Sequence, residues 1–373
     1  GVALAVNVSH YPLSWTGTIS SFHPDMLFFE ALAQGTPTFG PGDSPLMAGA
    51  DIRYHWFTYA WAGQLAAIAD APAFATLTRV LPIVALVGIC LVASAWAWRA
   101  TRVAWVPTLA VLLIVTGGYV GATYGTILNF DSPSQALSAL WLVAWFLVAL
   151  RWLRRPSWAL GGLLGLLAFA LAGGKVSAGI VAAGAALVLV LASLVRPGSL
   201  SRGRSAVLAL LTCLPAAAAY LLLLSGSAEQ GGLKLFAFLD RASSVQGLNP
   251  VNTHLGIAIG TVMLLLAMVP RWAGLAWLVG AHGSRWRPST VLGAGFLIAS
   301  IATVLAVSGG LNDTWFALSA SAPLAVLSAI GAGNAATRVT ARQGLASRHQ
   351  VPPLVWLALL GGGAIAVVAT LIW

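Results

Sequence analysis

Charge is what this sequence has least of. Only 8% of its 373 residues are charged, 59% are hydrophobic, and the mean hydropathy is +0.89. A soluble globular chain carries about 25% charged residues, so a water-soluble fold could not cover its surface with so few. Cysteine is equally scarce: Cys90 and Cys213 both lie inside apolar runs. That excludes a disulfide framework and metal-ligand spacing. The sequence has no zinc motif, serine elbow, Walker motif or dinucleotide fingerprint. It has no internal repeat of fixed period and no signal-peptide pattern with a basic head. The apolar runs are long and unbroken rather than alternating, which excludes an outer-membrane barrel.

What is present is a series of apolar runs near the length a membrane span requires, about 20 residues. Spans are expected at 80–98, 103–122, 135–153, 157–173, 176–195, 205–225, 254–269, 290–308, 315–332 and 353–373. Residues 1–8 (GVALAVNV) read as the last turns of a further helix, for about eleven spans in all. The numbering is therefore expected to begin inside a longer protein, truncated at both ends. Backbone groups in lipid must pair internally, so the fold class is all-α, a single polytopic helical bundle over 1–373. The 40 Gly and 18 Pro suit transmembrane helices better than soluble ones. Residues 272–281 form only half a span, and an interfacial or re-entrant segment is expected there.

With that assignment the charges sort by side. Arg99, Arg102, Arg151, Arg154, Arg155, Arg196, Arg202, Arg204, Arg271, Arg285, Arg287, Arg338, Arg342 and Arg348 all fall in short loops on one side, which the positive-inside rule makes cytoplasmic. Arg53, Arg79, Lys175, Lys234 and Arg241 fall on the other side, with all nine acids. The formal charge of +10 thus has a topological origin, and a nucleic-acid partner is discarded. Exclusion of acids from cytoplasmic loops would explain their sidedness. An outward-facing site that uses carboxylates explains it too, and is favoured because several acids neighbour His, Asn or aromatic residues.

Two outer segments are long, 9–79 and 226–253. The first holds two amphipathic, aromatic-rich stretches, DMLFFEALAQ (25–34) and DIRYHWFTYAWAGQLAAIA (51–69), joined by a Gly/Pro turn region. Such stretches suit the membrane interface. In Phe22-His23-Pro24-Asp25, proline suits a first helical turn and Asp25 faces the favourable end of the helix dipole. Glu30 lies about 140° around that helix from Asp25, so the two acids do not share a face. Asp51 and His55, four apart, would share a helix face, and a carboxylate can orient and charge an imidazole. A local stabilising pair explains them as well.

Lys175, in Gly173-Gly174-Lys175, occupies a very short outer turn whose glycines permit close approach of another group. An anion partner is one reading, and snorkelling to the interface is the other. Asp131 and Asp313 each precede a span and are expected to cap it.

An aspartate helix of the form D-x-x-x-x-E-A-x-A in a large outer loop after a first span resembles the integral-membrane glycosyltransferases of the GT-C superfamily. Asp25-Met-Leu-Phe-Phe-Glu30-Ala-Leu-Ala33 carries it, and Arg53-Tyr54-His55-Trp56 resembles actinobacterial members. The specific match covers about the first 60 residues. The resemblance implies a sugar donor linked to polyprenyl phosphate, a glycan or lipid acceptor of the cell envelope, and a plasma-membrane site facing the cell exterior. Asp25 would be the general base. His23, Glu30, Asp51, Arg53, His55, Asp131, Lys175 and Asp313 would bind donor phosphate or substrate. The acidic motif is not a clear DxD or DE pair, so no metal ligand is assigned, and a divalent cation (Mg or Mn) stays open as a cofactor. Two other classes are a non-catalytic scaffold subunit of an envelope-assembly complex and a lipid or solute transporter. A transporter would place ionisable residues near the midplane of the spans, where this sequence has almost none.

Overall fold

The computed structural model describes residues 11, 25–39, 44, 49, 52, 54–115, 132–196, 199–223, 232–233, 271–280, 285–308 and 314–342. Two short helices come first, α1 (Asp25–Phe39) and α2 (Phe57–Ile68). A continuous helix α3 follows over Ala73–Thr101. Next come α4 (Trp105–Val115), α5 (Pro133–Arg154), α6 (Trp158–Gly174), α7 (Val176–Val195) and α8 (Arg202–Leu223). The later elements are α9 (residues 271–280), α10 (Pro288–Ala306) and α11 (Thr314–Arg342). One two-residue antiparallel ladder, β1 (Gly232–Leu233) with β2 (Val307–Ser308), interrupts an otherwise helical architecture.

Among the described residues, five helices are long and apolar enough to cross a membrane: α3, α5, α7, α8 and Trp315–Arg338 of α11. The protein is a multi-pass membrane protein. Three further apolar helices are shorter, α4, α6 and Pro288–Thr303 of α10. The spans expected at 1–8, 254–269 and 353–373 lie outside the described residues.

Burial divides the helices into inner and outer ones. The spanning window of α11 is 89% buried and that of α8 only 22%. Helix α11 is therefore the hub, and α8 presents Leu210, Leu214, Leu221 and Leu222 outward. Lipid tails are as apolar as leucine, so burial of apolar surface does not hold such helices together. Close packing of small residues does. Ala320, Ala322, Ala325 and Ala329 supply it along α11. Where backbones stand further apart, rings fill the gap: Phe146 of α5 lies 5.5 Å from Phe296 of α10 and 4.7 Å from Trp96 of α3. The short apolar stretch at 272–281 forms the ten-residue α9, docked on α11 through the Gly274 amide, which donates to Ser328 Oγ at 2.9 Å.

Three local readings of the sequence are corrected. Helix α1 continues through Gly35–Phe39, where a turn was expected. Pro37 lacks the N–H that would bond to the Ala33 carbonyl. That carbonyl instead faces Gly63 of α2, where a β-carbon would overlap it. The two backbones touch at a point that only glycine allows, and this contact outweighs the turn signal. Thr36 Oγ1 donates to Leu32 O at 2.6 Å and supports the same turn.

The described residues 52 and 54–56 are not helical: α2 begins at Phe57, so His55, expected on a helix, precedes it. The Trp56 amide turns back to the Tyr54 carbonyl at 2.9 Å, a local bond that competes with helix. Helix α3 starts at Ala73 rather than residue 80. A π-helical turn over Thr76–Val80 absorbs Pro82, with the Leu81 amide reaching Thr76 O five residues back.

The Gly63–Ala33 contact gives a test. Gly63→Val should lower thermal stability in detergent by about 2–4 kcal/mol by forcing α1 off α2. Gly162→Ala, where no atom lies within 4 Å of the new β-carbon, should leave it unchanged or slightly raised. Equal melting of the Gly63 variant and the parent would show that the crossing does not hold the two helices.

Candidate functional site

The site lies at the end of the bundle where α5, α7 and α11 begin and α6 finishes. Its centre is Lys175, the single residue between α6 and α7. Its extended backbone ends one helix and starts the next: the amide donates to Leu171 O at 2.8 Å, and the carbonyl accepts from Ala178 N at 3.0 Å. The short turn thus fixes the side chain. That side chain is only 8% exposed, and its Nζ sits 4.3 Å from the centroid of the Trp315 ring at the start of α11. Among the described residues no carboxylate lies within ion-pair distance of it. Burial pulls the Lys175 ammonium down to about 8, and the negative charge of Asp25 partly opposes this.

Asp25 is exposed in the first turn of α1. Its charge reaches both Lys175 and Tyr59, which places it at the mouth of the same site. His55 is stacked on Tyr54, ring centroids 3.8 Å apart, and its Nε2 is buried without a hydrogen-bond partner among the described residues. Burial first, and the Lys175 charge second, push this imidazole well below its ordinary pKa, so it is neutral at pH 7. Tyr59 is fully buried and stacks on Phe29 at 4.5 Å. Burial, then Tyr54, raises its phenol well above the ordinary value, so it stays a neutral O–H group near Ser134 and Tyr54.

Beneath these groups runs a buried polar seam that sequence reasoning missed. Ser319 of α11 donates to Trp315 O at 2.8 Å. Its oxygen is thereby left to accept from Ser177 at 3.0 Å and from Gln135 Nε2 at 3.4 Å. Thr58, Ser134 and Ser138 are also fully buried. A β-carbon at Gly174 would lie 3.1 Å from Thr58 Oγ1 and 3.4 Å from Ser138 Oγ, so this glycine is what lets the α6 backbone approach them. His55 Nε2, Thr58 Oγ1, Gln135 Oε1 and Ser138 Oγ are all buried without a hydrogen-bond partner among the described residues. An unmet buried polar atom costs about 1–3 kcal/mol, so four in one place is a concentrated cost. The available signal was Ser134, Gln135 and Ser138 at i, i+1 and i+4, one polar face opening an otherwise apolar span.

Asp25, His55 and Lys175 are thus brought together. Glu30 turns instead to Gln34, whose Nε2 donates to its Oε1 at 2.9 Å, and partial burial raises its carboxyl. His23, Asp51, Arg53, Asp131 and Asp313 lie outside the described residues. Among the described residues no group of three or more His, Cys, Asp or Glu side chains could hold a metal ion.

No protein-family model matches the sequence, and no curated protein matches it by sequence. Solved structures do match. The fold is similar to that of an oligosaccharyltransferase. The crystal structure of the Archaeoglobus fulgidus oligosaccharyltransferase in complex with Zn and sulfate matches over 99% of this chain, with TM-score 0.59 and 16% identity. The same enzyme tethered through a disulfide bond to an acceptor peptide containing the NVT sequon matches over the whole chain, with TM-score 0.55 and 15% identity. This chain spans about half the length of those chains, 52% and 53%. At such identities the likeness shows a shared fold.

The lowered Lys175 pKa has a stability consequence. Between about 8 and its unfolded value of 10.5, the unfolded chain holds a proton that the folded chain does not, so stability rises with pH there. Below about 8 the buried charge is a constant cost. Lys175→Met should remove that cost and raise stability at pH 7 by about 1–3 kcal/mol, with a flat profile above pH 8. Thermal unfolding in detergent at pH 7 and pH 10 reads both. A variant less stable than the parent would mean that the ammonium holds the turn together.

Proposed function

We propose that this chain is an integral-membrane glycosyltransferase of the GT-C type, moving a sugar from a polyprenyl-phosphate donor to a hydroxyl acceptor of the cell envelope. The observation that carries this reading is the convergence of Asp25, neutral His55 and buried Lys175 above a seam of unpartnered hydroxyl and amide groups. A carboxylate, an ammonium without an ion-pair acid among the described residues, and a polar floor match the three parts of such a substrate: an acceptor proton, a phosphate and sugar hydroxyls. The shared fold with an oligosaccharyltransferase supports the same class of reaction.

Asp25 accepts the proton of the acceptor hydroxyl as its oxygen attacks the anomeric carbon. The new C–O bond forms on the face opposite the phosphate, the anomeric carbon–phosphate oxygen bond breaks, and its electron pair leaves with the polyprenyl phosphate. The anomeric configuration inverts. Lys175 faces the charge that develops on the departing phosphate, where low polarity makes a cation most effective. Neutral His55 offers that phosphate an N–H donor without repelling Lys175. Among the described residues Lys175 supplies the positive charge that faces the phosphate, and a divalent cation stays open as a cofactor. The site opens on the face opposite the arginine-rich loops, the exterior by the charge rule.

Asp25→Asn should abolish transfer, by about 10²–10⁴-fold, while the protein still melts like the parent. Retained turnover in that variant would remove Asp25 from the mechanism, and absent turnover in the parent would favour a scaffold. The same reading predicts a pH effect on donor KM. Free Lys175 loses its proton as pH rises through about 8, so the KM for donor should climb above that value, while Lys175→Arg should keep KM low to higher pH.

A further inference from the structure

The opposite end of the bundle holds a second feature, unrelated to the transfer chemistry. A cavity of about 440 Å³ opens there, and three guanidiniums line it: Arg99 from the last turn of α3, Arg154 from the last turn of α5, and Arg287 just before α10. All three side chains are exposed, and none is engaged by a hydrogen bond or ion pair among the described residues. The acids among the described residues are Asp25, Glu30 and Asp70, all in the segment before α3. Three positive charges therefore converge on one cavity with no carboxylate of this protein described beside them. The N-terminus of α10 adds its partial positive charge to the same space.

The lining is polar on one side and apolar on the other. Leu150 and Ile330 also line the cavity, each four residues nearer the bilayer centre than Arg154 and Asn334 respectively. A free inorganic anion has no use for that apolar wall, whereas an amphiphile does. The depth fits too: Ser134 and Arg154 sit at opposite ends of α5, about 30 Å apart, the thickness of a hydrocarbon core. The outer site and this cavity therefore lie at the two headgroup levels. Loose positive-inside arginines would point separately into water, whereas these come from two helix ends and the residue before a third helix into one recess.

We propose that this cavity is a binding site for the phosphate-bearing headgroup of an anionic membrane lipid in the cytoplasmic leaflet. Arg99, Arg154 and Arg287 clamp the phosphate oxygens, and Leu150 and Ile330 contact the start of the acyl region. Arginine suits the task because its planar fork can meet two phosphate oxygens at once, and basic recesses between helices on this side of a membrane take such headgroups.

The test uses the full chain in mild detergent, titrated with phosphatidylglycerol, phosphatidylcholine or inorganic phosphate and followed by native mass spectrometry. Phosphatidylglycerol should bind at least about tenfold more tightly than phosphatidylcholine, the scale of one charge-assisted hydrogen bond. The triple variant R99Q/R154Q/R287Q should lose about a hundredfold in that affinity. R151Q/R155Q/R202Q removes the same charge from residues that do not line the cavity and should stay within about twofold of the parent. Equal loss in both triples would assign the effect to general surface charge and overturn the proposal. So would a first triple that binds like the parent. Displacement of the lipid by millimolar inorganic phosphate, with no preference between the two lipids, would make the recess a soluble-phosphate site and overturn the lipid assignment. Should the triple variant fail to fold, Arg287→Gln alone is exposed outside α10 and should still weaken phosphatidylglycerol binding about tenfold. Unchanged affinity there would overturn the proposal as well.

Discussion

A single buried ammonium organises the outer end of this protein. Lys175 is the one residue between α6 and α7, and its backbone closes both helices, so the turn fixes where its side chain starts. The ring of Trp315 beneath it belongs to α11, the most buried of the five described spanning helices. The cation–π contact therefore links the α6–α7 turn to the hub. A contact of this kind is worth about 2 kcal/mol when desolvated, less than the cost of burying a charge that lacks an anion. The fold tolerates a net cost at this point. Local strain or unmet charge is where function is to be sought, since packing alone would select a methionine or leucine there.

The outer segment is arranged around the same charge. Helix α1 crosses α2 so closely that the Ala33 carbonyl rests on Gly63, and this crossing sets where Asp25 stands relative to Tyr59 and Lys175. The aromatic rings between them, Phe29, Tyr54 and Tyr59 stacked and Phe28 edge-on to Tyr54, form a cluster against which His55 stacks. Burial then acts on each titratable group in the direction that keeps the site free of surplus charge. It keeps the imidazole and the phenol neutral and lowers the lysine to about 8, so the ammonium stays charged at neutral pH.

Most of the architecture was legible in the sequence because a bilayer imposes a simple rule. An apolar run near twenty residues must be a helix, and helix ends then alternate between the two sides. The exposed carboxylate and the odd lysine were legible for the same reason: each breaks the background of its segment. What was not legible depended on contacts distant in sequence. Pro37 and Gly35 read as a turn, yet α1 continues, because the carbonyl that Pro37 leaves free is met by Gly63. Asp51 and His55 read as a helical pair, yet the Tyr54–Trp56 turn keeps His55 off the helix, and it reaches Lys175 by a different route. The seam of Gln135, Ser138, Ser177 and Ser319 gave no signal of its own. Its members come from three helices, and serine in a membrane helix is common enough to pass as packing.

The two ends of the bundle show how one charge rule serves two purposes. Cationic loops hold the chain in its orientation, and an anion-rich leaflet is what gives that rule its force. Arg99, Arg154 and Arg287 line one cavity, and under the proposed lipid binding, orientation and lipid contact would be the same interaction. At the other end the rule is inverted: the lone cation between α6 and α7 is kept out of water and supplied with aromatic and hydroxyl neighbours instead of acids. A cation placed against the topological rule, buried, and lacking an ion-pair carboxylate among the described residues fits a transient anionic partner better than a permanent one. A permanent carboxylate would satisfy Lys175 in the resting state and then have to be displaced by each phosphate that entered. Leaving it on an aromatic face, which attracts a cation without neutralising it, keeps most of its charge available for the phosphate that the proposed reaction would bring.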